Sequence, residues 1–170
     1  MTTIAPMASA LIEELTAEAA ITRRVLERVP ETHLAWAPHG KSRTLGQLAR
    51  HVAANPDSVS ALAAQNPATF PDFAEEPMPD STAELLSILD ASVAAGVERL
   101  AALSDADLVA TWRVMANGAE LMAMPRHAFL RSVLLNHWYH HRGQLTVYLR
   151  LLDVPVPSVY GPSADENPFM

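Results

Sequence analysis

His137 and His141 stand four positions apart in the run His137-Trp138-Tyr139-His140-His141-Arg142-Gly143-Gln144. On a helix that spacing puts both imidazoles on one face, one turn apart, where they can share a metal ion. Metal sites in helical bundles are built in this way, from short-spaced ligands on facing helices. The rival reading is a pair of hydrogen-bonded core histidines, but two buried imidazoles need polar partners that an ordinary apolar core does not supply. A third nitrogen would complete a site, and His51, one turn after Leu48 and beside Val52, is the candidate. Three imidazoles with an open coordination position are the pattern of a catalytic metal, completed by water or substrate. His140 lies about 100° around the helix from His141, at the surface or behind the ligands. His33, His39 and His127 fall near helix ends or loops, where capping or solvation is their expected role.

The chain has no cysteine, which removes disulfides, a thiolate nucleophile and thiolate metal ligation. A metal must then rest on imidazole, carboxylate or water, and any thiol chemistry needs a thiol from outside. All-nitrogen ligation suits zinc, nickel, iron or cobalt, and argues against magnesium and calcium, which prefer oxygen. A dication on neutral imidazoles stabilises a thiolate or hydroxide by lowering its pKa toward neutrality. No side chain declares itself as the acid, base or nucleophile, so the catalytic residues are unknown at this level.

The elements that must position these groups read as helices. The 170 residues fit a single domain, with 49% hydrophobic and 18% charged residues, an ordinary globular balance. The net charge of −7 would repel a phosphate backbone, so nucleic acid is not an expected partner. No stretch reaches the roughly 18 uninterrupted apolar residues of a membrane helix. The start of the chain lacks the basic region of a signal peptide, and a cytoplasmic protein without a membrane partner is expected.

A first helix is predicted over residues 6–29, with Pro6 at its start and Pro30 after its end. Thr44 and Gln47 form a capping box for a second helix through His51, which the pattern ends near Asn55-Pro56. Residues 65–80, rich in proline and acids, read as a long connection, either a pocket wall or a lid, and not as a regular helix or a central strand. Ser81 with Glu84 opens a third helix that runs to about residue 103, with Leu85, Leu86, Leu89, Val93, Val97 and Leu100 on its core face. Between residues 111 and 125 the period shortens toward two, and Asn117-Gly118 predicts a small hairpin, with an irregular loop as the alternative. A final helix covers residues 127–152, and the proline-rich tail from Asp153 is extended. The fold class expected is all-α, a four-helix bundle with one long crossover and a small insert before the last helix.

The segments Thr44-Leu45-Gly46-Gln47-Leu48-Ala49-Arg50-His51 and His137-x-x-x-His141-Arg142-Gly143-Gln144-Leu145 together resemble the DinB/YfiT-like metal-binding family. The tail over residues 154–165 looks like the ending of part of that family, so the resemblance spans essentially the whole chain. It implies an up-down-down-up four-helix bundle with a divalent metal held by His51, His137 and His141. It also implies metal-dependent transfer of a low-molecular-weight thiol, such as bacillithiol, mycothiol or glutathione, including thiol-dependent isomerisation. A homodimer packed through helix faces is implied as well. Asp153 departs from the pattern, where a glycine is expected at the helix C-terminus.

Around the ligands, Arg142 should leave the metal face and pair with a carboxylate from another helix, because arginine is rarely buried unpaired. Gln144 should accept from His141 and orient it. Gly143 is expected to admit a close neighbouring helix. Trp138 and Tyr139 should pack or form a subunit contact. Asp165 and Glu166 belong either to a surface strap or dimer contact or near the pocket mouth, with the strap preferred. Arg50, Arg113 and Arg142 are candidates for a thiol cosubstrate's carboxylates. The leading function is a metal-dependent enzyme passing a thiol, or activated water, to a small electrophilic substrate. The alternatives are a non-catalytic, stress-related binder of metal or small ligands, and a purely structural bundle.

Overall fold

The structure is a computed structural model and describes residues 4–71 and 77–170; part of the connection read over residues 65–80 therefore lies outside the described residues. Helix α1 spans Pro6–Leu26, with proline at its first turn and Leu15, Thr22, Val25 and Leu26 buried at helical spacing. It ends three residues earlier than residue 29 because the chain tightens: Arg28 and Val29 donate to Val25 and Leu26 three residues back. Helix α2 is Leu45–Ala64, opened by the predicted capping box, in which Thr44 Oγ1 accepts from Gln47 N and Gln47 Oε1 accepts from Thr44 N.

Helix α2 does not stop at Pro56. Proline has no N–H for the carbonyl of Val52, four residues back. Trp138 supplies the missing donor, its indole Nε1 reaching Val52 O at 2.7 Å. The next amide, Asp57 N, is met by Ser92 Oγ at 2.8 Å. With these groups satisfied from outside, the helix continues for two further turns, and the sequence pattern had no means of showing it.

Helix α3, Thr82–Ala101, packs on α2 and α1 and buries Leu85, Leu89, Ser92, Gly96 and Leu100. Its cap is half of the predicted box: Ser81 accepts from Glu84 N, whereas the Glu84 carboxylate takes Asp80 N at 2.6 Å. A short helix α4, Asp105–Val109, follows on its own capping box from Ser104 and Asp107.

The hairpin forms as the Asn117-Gly118 pair requires, with φ of 51° and 78° at the two residues. Its strands are β2, Thr111–Ala116, and β3, Ala119–Pro125, antiparallel with an irregularity between Val114 and Met115. A two-residue strand β1, Ala68–Thr69, adds in parallel at the β2 edge, giving the order β1-β2-β3. The fold is thus mostly helical with a three-stranded sheet, a correction to the all-α expectation. β1 is pinned by Asn66, whose side chain donates to Thr111 O and accepts from Arg113 N.

The last helix is one rod in three parts: α5, Arg126–Phe129; a π-helical segment, Leu130–Asn136; and α6, His137–Leu151. The uniform α-helix expected here is wrong over the middle part, where His137 N donates to Ser132 O, five residues back. The wider turn is supported from α2, since Asn55 Nδ2 donates to Leu134 O at 2.9 Å. α1, α2, α3 and α6 enclose a core that includes Leu15, Leu48, Val52, Leu89, Leu134, Trp138 and Leu145. No helix among the described residues is long and apolar enough to cross a membrane.

Candidate metal centre

His51 projects from the second turn of α2, and His137 and His141 from successive turns of α6, all three half-buried. The capping box fixes where α2 starts, and the π segment fixes the phase at which α6 begins. One nitrogen from each ring lies within 4.8 Å of the other two. His51 Nε2 and His137 Nε2 are 3.1 Å apart, and the ring centroids of His137 and His141 are 4.3 Å apart. Two facing Nε2 atoms at this distance either share one proton or both offer lone pairs, and the second arrangement is the one a cation would take. Such a donor set fits a divalent ion of the zinc, nickel, cobalt or iron type.

The environment keeps it that way. Burial pushes the pKa of His141 down to about 4, helped by His51, His137 and Arg43 and opposed by the bond to Gln144. Burial also lowers that of His137, with His51, His140 and Arg43 contributing. Gln144 Oε1 lies 2.7 Å from His141 Nδ1, so that nitrogen donates and Nε2 is left as the lone-pair nitrogen.

The other residues singled out in the sequence fall elsewhere. Arg142 turns to α1, pairing with Glu18 at 2.6 Å and donating to Thr22 Oγ1 and the Tyr160 hydroxyl. His140 is exposed. His33 meets Thr32, His39 accepts from Lys41 N within a turn, and His127 bonds Leu108 O, all local structural roles. A Cβ at Gly143 would meet nothing within 4 Å among the described residues, so that glycine admits no close helix. The close approaches are at Gly46, against Leu34, Met78 and Pro79, and at Gly96, against Leu15 and Pro56. Asp165 and Glu166 bind Arg150 and Arg24 and strap the tail to the helices.

Beside the histidines opens a cavity of about 620 Å³, walled by α2, the last helix, the sheet and the chain at Phe70 and Pro71. It contains His51 and His137 in its wall, together with Arg43, Arg50, Asn55 and Ser58. Sequence reasoning missed Arg43, which directly precedes the Thr44 cap; its backbone carbonyl is held by the Tyr148 hydroxyl at 3.3 Å.

The sequence model of the DinB family matches residues 2–168. The chain belongs to the DinB family. It is 29% identical over 150 residues to the uncharacterised protein YrdA of Bacillus subtilis (strain 168), covering 88% of this chain and 85% of that one. A DinB-like protein from Bacillus cereus ATCC 10987 has the same fold, with a TM-score of 0.68 and 25% identity over 89% of this chain and 97% of its own. A DinB-like protein from Bacillus subtilis superposes with a TM-score of 0.67 at 18% identity, over 88% and 97% of the two chains. The DinB assignment agrees with the motifs that place three histidines on two helices.

Proposed function

We propose that this DinB-family protein is a metal-dependent enzyme. It holds a divalent transition metal through His51, His137 and His141 and joins a low-molecular-weight thiol, or water, to a small electrophile in the adjoining cavity. The observation that carries this reading is the convergence of three imidazole nitrogens within 4.8 Å, with the rings of His51 and His137 standing in the wall of a cavity large enough for a substrate. The long helices are read as an up-down-down-up four-helix bundle. A homodimer through helix faces is supported by Val147 and Leu151, both exposed and four positions apart on α6.

A bound dication would supply Lewis acidity that favours the deprotonated form of a thiol or of water. The chain supplies the rest. His137 and His141 stay uncharged at neutral pH and offer lone pairs, and Gln144 fixes the His141 tautomer. With no cysteine in the chain, the thiol arrives as cosubstrate. One observation favours a second reading, a non-catalytic, stress-related metal or small-ligand binder: no carboxylate is among the described residues that line the cavity.

The test is metal content by mass spectrometry on tag-free protein and on His51→Ala, His137→Ala and His141→Ala. Near-stoichiometric metal, lost in each folded variant, is the expected result, followed by thiol-dependent turnover across a panel of electrophiles. Wild-type protein that refuses zinc and nickel on reconstitution would sink the reading. Metal without turnover on any thiol would leave the binder.

A further inference from the structure

The cavity starts at His51 and His137 and runs away from them between two helices. His51, Ala54, Val59 and Leu62 mark its course along α2, an advance of about 16 Å at helical pitch. On the last helix it recedes from His137 through Val133 to Phe129. Trp112 closes the far end, stacked on Phe129 at 3.9 Å between centroids and bonded through Nε1 to Gln65 O just past α2. Its volume of about 620 Å³ falls within the about 300–1,000 Å³ of small-molecule sites.

The polar side chains of the wall are largely engaged by the chain itself. Arg50 pairs with Glu84, and Arg43 holds an interaction of its own. Asn55 Nδ2 donates to Leu134 O, and the Trp112 indole is spent on Gln65. The Ser58 hydroxyl adds a neutral group. An ion entering here must take a partner from one of these bonds or lie buried without one, and either course is unfavourable. The apolar lining makes no such demand. Met122 on β3 and Phe70 just after β1 line the cavity while 41% and 44% exposed. Large apolar side chains left exposed around one cavity mark a surface that a ligand covers. Rings and a thioether favour a flat aromatic body, through offset or edge contacts between rings and through sulfur at a ring edge.

We infer that the cavity binds an uncharged aromatic molecule, its rings lying along α2 toward Trp112 and Phe129 and its polar end, a carbonyl or a similar neutral group, beside His51 and His137. For its chemistry this rests on the metal-centre reading, because it names the class of electrophile taken at that site. Binding itself needs only the cavity.

The experiment is isothermal titration of the full chain after chelation, when no ion can hold a carboxylate, with zinc uptake of the same preparation measured in parallel. The probes are 2-acetylnaphthalene, 2-naphthoate, which keeps the rings and outline but carries a charge, and 2-acetyldecalin, which keeps the ketone but loses the flat rings. The aromatic ketone is expected to bind one per chain, about tenfold or more tighter than 2-naphthoate. The saturated ketone should bind several-fold more weakly than the aromatic one. Ala54→Phe, which fills the slot, should weaken the aromatic ketone about tenfold or more. If that variant melts early by circular dichroism, Met122→Glu replaces it, setting a charge in the wall from an exposed position, with a several-fold loss expected. Naphthoate or the saturated ketone binding as tightly as the aromatic ketone overturns the proposal, and so does a folded variant that binds like the wild type. Stoichiometric zinc uptake without binding of the aromatic ketone overturns it and leaves the metal centre standing. Selective binding of that ketone by a chain that takes up no zinc supports the ligand class and overturns the metal centre.

Discussion

His141 and Arg142 are neighbours in sequence and belong to two polar clusters of opposite construction. Around Arg142 each group answers another. The guanidinium meets Glu18 at 2.6 Å and the Tyr160 hydroxyl at 2.5 Å, and lies 5.2 and 5.1 Å from the ring centres of Tyr139 and Tyr160. Tyr139 in turn donates to Glu14, which also pairs with Arg131. Around His141 three imidazoles face one another, and burial together with Arg43 disfavours protonation of two of them. A cluster of paired opposite charges is complete within the chain. A cluster of three lone-pair donors is one that a cation could complete.

Breaking the first cluster should give the largest effect on stability. Arg142→Met removes the cation from the Glu18 carboxylate, whose side chain is 12% exposed and keeps, among the described residues, only the Tyr160 hydroxyl as donor, and should cost about 3–5 kcal/mol, read from the urea midpoint. Metal bound per folded chain should not change. If metal is lost in step with stability, the two clusters are not separate devices.

Gln144→Ala reverses the pattern. It removes the acceptor at His141 Nδ1 and should lower metal affinity about 10–100-fold, measured by competition with a chelator. As an exposed change it should move stability by no more than about 0.5 kcal/mol.

Acid titration separates the clusters by pH window, since both contributions are lost as the pH falls. The pKa of His141 is depressed by burial, so the unfolded chain takes up its proton before the native chain does. In metal-free protein that contribution is fully present above about pH 6.5 and is lost as pH falls toward about 4. Glu14 behaves differently. Burial raises its pKa, but the hydrogen bonds from Arg131 and Tyr139 outweigh that and hold it low, so its contribution is fully present above the usual carboxylate range and is lost as the pH falls through and below it. Thermal melts from pH 7 to 4.5 should therefore fall for the wild type and flatten for His141→Gln. An unchanged slope in that variant would mean that other groups carry the acid sensitivity.

The smallest effect is a baseline outside both clusters. Asp153 sits at φ 56°, a conformation that glycine adopts freely, just past the end of α6. Asp153→Gly should raise stability by about 1 kcal/mol with metal affinity unchanged.

What could be read in the sequence was what is decided locally. The Thr44–Gln47 box, the Asn117–Gly118 turn and the spacing of His137 and His141 each depend on residues a few positions apart, and each appears where it was expected. His51 was the candidate third nitrogen from its place one turn after Leu48, and the family motif points to the same residue. The elements that escaped depend on distant partners. Pro56 reads as a terminator until Trp138 supplies a donor, and the π turn reads as ordinary helix until Asn55 takes Leu134 O. Gly143, next to the motif, attracted a packing role that belongs to Gly46 and Gly96. Arg43 in the cavity wall had no local signature at all. Helix α4 is the exception, since Ser104 and Asp107 carried a legible cap.

The indole of Trp138 has a consequence beyond repairing a helix. Val52 immediately follows His51, and Trp138 immediately follows His137. The 2.7 Å bond between them works as a gauge, setting the spacing of the two backbones that carry His51 and His137 with atoms outside the histidine cluster. A residue with an N–H at position 56 would compete with the indole for the same carbonyl. The proline that looked like an end to α2 is thus the reason its carbonyl is open to the helix that carries the other two histidines.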